Sequence, residues 1–152
     1  MNETGTDLPP VIKEITVPWP IERAFRRFTD EIGTWWPRQP HSVFGKRSAS
    51  CSLEPEPGGR IFETRDDGEV SVWGTVTEIQ PPDLLCFTWH PGREPGTAQR
   101  VAVRFTAEGE GTRLVLTHSG WERLGGEAAK TRDGYVQGWD YVLGGYAGGS
   151  NA

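Results

Sequence analysis

The sequence predicts one α+β domain, in which a curved antiparallel β-sheet of six to seven strands packs around a long C-terminal helix. Three observations predict this class: apolar residues recur with a period of two over much of the chain, short Gly- and Pro-rich turns separate these stretches, and the last segment has a helical period. The length of 152 residues suits a single domain. We expect the domain to span residues 11–147, with flexible tails at 1–10 and 148–152.

The N-terminal part combines one strand with two short helices. Val11–Val17 alternates apolar and polar residues and is rich in β-branched side chains, which is typical of a strand. Pro20 fits the first turn of a helix, since its missing N–H costs nothing there. The apolar face of this helix is formed by Ile21, Ala24, Phe25 and Phe28. A second short helix is expected over Glu31–Trp36, because Pro37 follows it.

Six further strands are expected from residue 48 onward, where the period changes to two. They are Ser48–Leu53, Arg60–Thr64, Val70–Ile79, Leu84–His90, Ala98–Thr106 and Thr112–Ser119. The breaks between them are short enough for hairpins, so the sheet should be antiparallel. Alternation assigns one set of side chains to the inner face of the sheet. This set is Val72, Gly74, Val76, Leu85, Phe87, Trp89, Val101, Val103, Phe105, Leu114, Leu116 and His118.

The C-terminal segment, Glu127–Ala147, has the pattern of a helix with an aromatic face. Its apolar stripe is formed by Tyr135, Trp139, Val142 and Tyr146. Gly134 and Gly138 lie one turn apart in the same helix, where each glycine costs roughly 1 kcal/mol relative to alanine. Close packing against the sheet would explain them, and so would room left for a ligand. Fraying from Gly144 onward is a third interpretation of the glycines at the helix end.

Composition excludes several classes of function. The net charge of -5 and the pI of about 5.2 argue against nucleic acid and against anionic membrane surfaces. No apolar run approaches the roughly 20 residues that span a bilayer, and the first residues lack the apolar core of a signal peptide. We therefore expect a cytoplasmic protein in which Cys51 and Cys86 are free, buried thiols.

The sequence contains no recognisable catalytic or metal-binding motif. The three histidines lack the spacing of a metal site, and no nucleophile has a base beside it, so we expect neither metal nor cofactor. His90 is expected at the surface. His118 falls at the inner register near a strand end, and two interpretations stay open for it. It is either a polar group at a cavity, able to act as acid or base, or a structural histidine bonded to a backbone carbonyl.

Several local motifs occur in an order that is similar to a known family. They are Pro20–Phe25, Thr34–Pro37, Glu56–Arg60, Trp73–Ile79, Pro82–Leu85, Gly111–Leu114, Leu116–Gly120 and Gly138–Trp139. Together they resemble the SRPBCC (START-like, Bet v-like) superfamily and, within it, the activator of heat-shock-protein-90 ATPase homologue-like family. The resemblance implies a helix-grip fold, a cavity between the sheet and the last helix, and apolar ligands. It does not imply one activity, because the fold hosts lipid carriers, hormone binders, polyketide cyclases and co-chaperone domains.

These patterns predict a protein that binds an apolar or aromatic small molecule between the sheet and the C-terminal helix. The candidate lining residues are Trp36, Phe44, Phe62, Phe87, Trp89, Val103, His118, Tyr135, Trp139 and Val142. Three other tryptophans, Trp35, Trp73 and Trp121, are expected at the mouth or on the outer sheet face. One alternative is an enzyme, a cyclase, dehydratase or hydrolase that uses His118 in the same cavity. Another is an interaction protein, a chaperone partner or homodimer, which should show an exposed aromatic patch and a filled core.

Overall fold

The computed structural model describes residues 8–36, 45–91 and 94–148, and it confirms the predicted α+β architecture. The strands in this part of the chain are β1 (Val11–Val17), β2 (Ser48–Leu53), β3 (Arg60–Arg65), β4 (Val70–Gln80), β5 (Leu84–Trp89), β6 (Gln99–Glu108) and β7 (Gly111–Ser119). The α-helices are α1 (Ile21–Phe28), α2 (Ile32–Trp35) and α3 (Ala128–Gly148). A 3₁₀ segment, Trp121–Glu127, lies between β7 and α3.

All seven strands form one antiparallel sheet in the order β1-β7-β6-β5-β4-β3-β2. The predicted alternation is confirmed in the central strands, where every residue assigned to the inner face is buried. The inner residues of these strands are Leu85, Phe87, Trp89, Val101, Val103, Phe105, Leu114, Leu116 and His118. Their side chains form the sheet half of the core.

A β-bulge changes the facing of side chains in β4. Ile61 pairs with Gly74 and Phe62 pairs with Val72, so Trp73 is the extra residue between the two pairs. The bulge buries Trp73 and leaves Val72 only half-buried. The assignment of Val72 to the inner face was therefore wrong. Gly74 and Val76 are both buried, as predicted.

One end of the inner face is filled by aromatic rings, and we call it the closed end; its residues are Phe25, Phe28, Trp35, Phe105 and Tyr146. Ring centroids lie 5.2 Å apart for Phe25 and Phe105 and 5.0 Å apart for Trp35 and Tyr146. The Tyr146 hydroxyl donates to the Ala24 carbonyl oxygen at 2.6 Å. Trp35 Nε1 donates to the Arg27 carbonyl oxygen at 2.7 Å. Trp35 is thus buried in the core, and its expected position at the mouth or outer face was wrong.

An ion pair and hydrogen bonds connect α3 to β1, to the residues just before β1 and to α1. The Lys13 ammonium lies 3.1 Å from the Asp140 carboxylate, and Arg132 Nε donates to the Pro9 carbonyl oxygen at 2.6 Å. Near the other end, Arg27 Nε donates to the Tyr146 carbonyl oxygen at 3.0 Å. The helix continues to Gly148, so it does not fray from Gly144. Cys51 and Cys86 are buried and are not joined in a disulfide, as predicted.

Candidate functional site

A cavity of about 340 Å³ lies between the sheet and α3, next to the closed end. We call it the tryptophan cavity. Its lining consists of Trp36, Trp73, Trp89, Pro91, Thr131, Gly134, Tyr135, Gly138, Trp139 and Val142. The lining is mostly apolar and aromatic, which is typical of pockets for small molecules.

Four indole rings form a continuous part of this lining. Ring centroids are 5.3 Å apart for Trp36 and Trp73, 5.7 Å for Trp73 and Trp89, and 5.6 Å for Trp89 and Trp139. Three features of the chain bring these rings together: the end of α2, the bulge in β4 and the alternation of β5. Trp73 is 3% exposed, so its expected position at the mouth or on the outer face was wrong. Its indole N–H has no hydrogen-bond partner among the described residues.

Glycines leave the α3 side of the cavity bare. A Cβ atom placed on Gly134 would meet no atom within 4 Å, and one on Gly138 would approach only Tyr135 Cδ1, at 3.9 Å. Close packing against the sheet therefore does not explain these glycines. Of the interpretations drawn from the sequence, the one that agrees with this geometry is room left for a ligand.

The hydroxyl groups of the lining are those of Thr131 and Tyr135, which lie one helical turn apart on α3. The Tyr135 hydroxyl oxygen accepts a hydrogen bond from Trp89 Nε1 at 3.0 Å. This bond fixes the tyrosine ring relative to β5. It also increases the ability of the phenol to donate its own proton, since hydrogen bonds in series polarise one another.

His118 lies behind this lining. It is 0% exposed, and its Nδ1 accepts a hydrogen bond from Trp139 Nε1 at 2.9 Å. Because Nδ1 is the acceptor, the ring proton is on Nε2, which donates to Gln99 Oε1 at 3.1 Å. Burial lowers the pKa of His118 to about 3, so the ring is neutral near pH 7. Its partners are side chains and not the backbone carbonyl that one interpretation expected.

Aromatic rings enclose His118 on its remaining sides. Its ring stacks on Trp121 with centroids 4.1 Å apart, and the Tyr135 ring lies 4.7 Å away. Trp121 is 1% exposed, so its expected position at the mouth or outer face was wrong. Since Trp139 and Tyr135 both line the cavity, His118 supports two lining residues without lining the cavity itself.

The predicted lining residues that the structure describes divide into three groups. Five of them line the cavity: Trp36, Trp89, Tyr135, Trp139 and Val142. Three are buried on the inner face but are not part of the lining: Phe87, Val103 and His118. Phe62 lies on the opposite face from its buried neighbours Ile61 and Glu63, and Arg60 covers its ring at 4.7 Å. Phe44 lies outside the described residues.

Sequence reasoning missed Trp73, Pro91, Thr131, Gly134 and Gly138 as lining residues. The three on α3 could have been found, because they fall on the helical face that also carries Tyr135 and Val142. Trp73 could not have been identified from the sequence, because no sequence pattern indicates the bulge that turns its side chain inward. His90 was also misplaced: it is 7% exposed, and its backbone N–H donates to the Trp73 carbonyl oxygen at 2.6 Å.

The structure offers no group of His, Cys, Asp and Glu that could hold a metal ion within residues 8–36, 45–91 and 94–148. In the same ranges, no helix is long and apolar enough to cross a membrane. The tryptophan cavity therefore remains the candidate site.

The chain is similar to a known protein family and to several solved structures. A family model described as "Activator of Hsp90 ATPase homolog 1-like protein" matches residues 18–145. The anthrahydroquino-γ-pyrone synthase Txn09, solved as a complex with SUM, is 33% identical over 81% of this chain and 84% of its own, with a TM-score of 0.59. BH1534 of Bacillus halodurans is 25% identical over 90% of this chain and 91% of its own, with a TM-score of 0.63.

DynU16, a protein of the dynemicin biosynthetic locus, is 25% identical over 92% of this chain and 46% of its own, with a TM-score of 0.56. None of the curated proteins matches the chain significantly.

Proposed function

The chain belongs to the family of activator of Hsp90 ATPase homolog 1-like proteins, within the SRPBCC superfamily, and from this premise we propose that it binds a planar aromatic small molecule in the tryptophan cavity. One observation carries the proposal: a cavity of about 340 Å³ lined by four indole rings and one tyrosine ring. Aromatic rings attract one another in edge-to-face and offset-stacked arrangements, which a planar ligand can join on several sides.

The size of the cavity favours a compact ligand. Its volume of about 340 Å³ lies at the lower end of the range of roughly 300–1,000 Å³ that small-molecule pockets span. A fused-ring molecule fills such a space with a rigid body, whereas a long acyl chain would lose more conformational freedom on entry. The two hydroxyls of Thr131 and Tyr135 give one polar position, where an oxygen of the ligand can be held.

The comparisons support a small-molecule function over one based on a protein partner. Txn09 is named as a synthase and was solved in complex with SUM, and its identity to this chain extends over most of both proteins. A protein partner would be expected to use an exposed aromatic patch. Among the described residues, the large apolar side chains that are exposed are Ile12, Val70 and Tyr141, and only the last is aromatic.

Titration with anthraquinone-2-sulfonate, monitored by tryptophan fluorescence, tests the proposal. We expect saturable quenching with one site per chain, because the ligand would contact several indoles. Val142→Phe fills part of the cavity, and Tyr141→Phe is the matched control, since Tyr141 is the preceding residue of α3 and is 50% exposed. Circular dichroism establishes that both variants are folded.

The expected outcome is a Kd that rises about tenfold or more in Val142→Phe, since overpacking costs roughly 1–3 kcal/mol, and stays unchanged in Tyr141→Phe. The absence of saturable quenching by this probe and by naphthalene- and flavone-based probes would contradict the proposal. Saturation by palmitate alone would replace the aromatic ligand by an acyl chain.

Catalysis in the same cavity is a second candidate function, and the Tyr135 hydroxyl favours it. This group lines the cavity and accepts the Trp89 N–H, whereas both ring nitrogens of His118 are engaged behind the lining. If the protein is an enzyme, the candidate catalytic residue is therefore Tyr135 and not His118. The phenol would hydrogen-bond a carbonyl oxygen of the substrate and thereby favour addition to that carbonyl.

Cyclodehydration of 1-(2-hydroxyphenyl)butane-1,3-dione to 2-methylchromone provides a test. The phenol O–H adds across the distal carbonyl to give a cyclic hemiketal. Loss of the new hydroxyl together with a proton of the central CH₂ then releases water and forms the ring double bond. We expect the protein to accelerate this reaction and Tyr135→Phe to abolish the acceleration while binding anthraquinone-2-sulfonate with a higher Kd. A rate equal to that in buffer would remove the catalytic candidate and leave the binding proposal intact.

A further inference from the structure

Two glycines in the middle of α3 reduce the stability of the helix without any packing reason inside the protein. Gly134 and Gly138 are interior residues of a 21-residue helix, where glycine is less favourable than alanine. The Cβ positions of both are open, so alanine would fit the protein alone. Their side-chain positions face the tryptophan cavity.

The opposite side of the cavity contains a second unfavourable feature. Trp73 is 3% exposed, and its indole N–H is buried without a hydrogen-bond partner in the described part of the chain. A buried donor without an acceptor destabilises a folded protein. The Trp73 nitrogen itself is closed off from the open cavity, so a ligand would contact the Trp73 ring opposite the bare glycines and not its N–H.

We propose that Gly134 and Gly138 form a bare backbone surface on which the aromatic ligand lies flat, and that they set the thickness of molecule that the cavity accepts. This inference rests on the proposed function. The two glycines are four residues apart, about 6 Å along the axis, so the bare surface extends over one turn of α3. The next lining residues on this face are Thr131 on one side and Val142 on the other.

A methyl group on this surface has two opposite effects. It raises the helix propensity of α3, and it occupies the space that the ring plane needs. Gly134→Ala and Gly138→Ala should therefore stabilise the protein and weaken its ligand binding together. An open glycine that only lowers helix propensity would give the stabilisation without the loss of binding, so this combination distinguishes a ligand surface from an ordinary structural role.

Gly144→Ala is the matched control. Gly144 is also an interior residue of α3, its Cβ position is also open, and it is not part of the cavity lining. Urea denaturation should show a higher unfolding midpoint for all three alanine variants. Titration with anthraquinone-2-sulfonate should show a Kd about tenfold higher for Gly138→Ala and for Gly134→Ala, and an unchanged Kd for Gly144→Ala.

Binding of the probe by the wild-type protein separates the two proposals. If the wild type binds and the Gly134→Ala and Gly138→Ala variants are stabilised yet bind equally well, the glycine surface is refuted and the proposed function stands. If the wild type binds neither this probe nor the naphthalene- and flavone-based probes, the proposed function itself fails. A Gly138→Ala variant that is destabilised while Gly144→Ala is stabilised would also refute the inference, because the position would then be packed and not open.

Discussion

The closed end and the tryptophan cavity are two aromatic regions on the same inner face of one sheet, and both are covered by α3. At the closed end the rings fill the space between the helix and the sheet. The ring centroid of Phe28 lies 5.4 Å from that of Tyr146 and 5.9 Å from that of Phe105. At the cavity the rings surround a space of about 340 Å³. Aromatic content therefore does not decide whether a region is filled.

The difference comes from what covers each region. Helix α1 inserts Phe25 and Phe28 between β6 and α3 at the closed end. At the cavity, α3 presents Gly134 and Gly138, and no described side chain occupies their Cβ space. We infer a division of roles between the two regions. The closed end stabilises the fold, and this stability permits a cavity that a fully packed core would not contain.

Truncation of Phe28 is the largest test of this division. Phe28→Ala should lower the free energy of unfolding by about 3–5 kcal/mol, because it removes a fully buried ring from a filled region. Trp36→Ala removes a larger ring, but Trp36 is half-buried and already borders the cavity, so we expect a smaller loss. Urea denaturation followed by circular dichroism measures both.

Equal losses for Phe28→Ala and Trp36→Ala would show that the two regions do not differ in their contribution to stability. A larger loss for Trp36→Ala would reverse the division and place the main support of the fold at the cavity.

The order and facing of the strands could be predicted from the sequence because they depend on local periodicity and turn residues. The bounds of β1 and β2 agree with the prediction, and those of the other strands differ by at most two residues at either end. The bulge at Trp73 could not be predicted, since it depends on how β3 and β4 pair and not on the residues of β4 alone. That one extra residue moved Trp73 from an expected outer position into the cavity lining.

The buried His118 gives a prediction in which the expected change in unfolding free energy is intermediate. The pKa of His118 falls from 6.5 to about 3 on folding because burial disfavours the charged ring. Below pH 6.5 His118 is therefore protonated in the unfolded chain, whereas in the folded protein it stays neutral down to about pH 3. Stability from this group is fully present above pH 6.5 and is lost as the pH falls, by about 2 kcal/mol at pH 5.

The measurement compares urea denaturation of the wild type and of His118→Gln at pH 7.5 and pH 5. The groups that contact His118 (Gln99, Trp121, Tyr135 and Trp139) carry no charge over this range, so the difference between the two proteins isolates the histidine. A wild type that loses no more stability than the variant would mean that His118 is protonated when folded, and would return it to the candidates for acid–base chemistry.

The candidate site was only partly predictable, and His118 and His90 show why. Alternation placed His118 on the inner face correctly, but the sequence could not show that Trp139 and Gln99 would take both ring nitrogens. His90 was expected at the surface because it follows a strand and precedes a proline. Its burial depends on the neighbouring chain at Trp73, which is a tertiary contact with no local signal.

Tyr135 and Tyr146, two of the three tyrosines of α3, give the smallest and most specific test, since their hydroxyls take part in hydrogen bonds in different regions. The Tyr146 hydroxyl donates to a buried backbone carbonyl at the closed end, so Tyr146→Phe should cost about 1 kcal/mol of unfolding free energy. The Tyr135 hydroxyl accepts the Trp89 N–H at the edge of the cavity, where water can replace it, so Tyr135→Phe should cost less. Ligand binding should respond in the reverse order, with Tyr146→Phe leaving the Kd for anthraquinone-2-sulfonate unchanged and Tyr135→Phe raising it. If Tyr135→Phe instead costs more stability than Tyr146→Phe and leaves the Kd unchanged, the Trp89–Tyr135 bond serves the fold and not the ligand, and the polar position of the cavity must be assigned to Thr131.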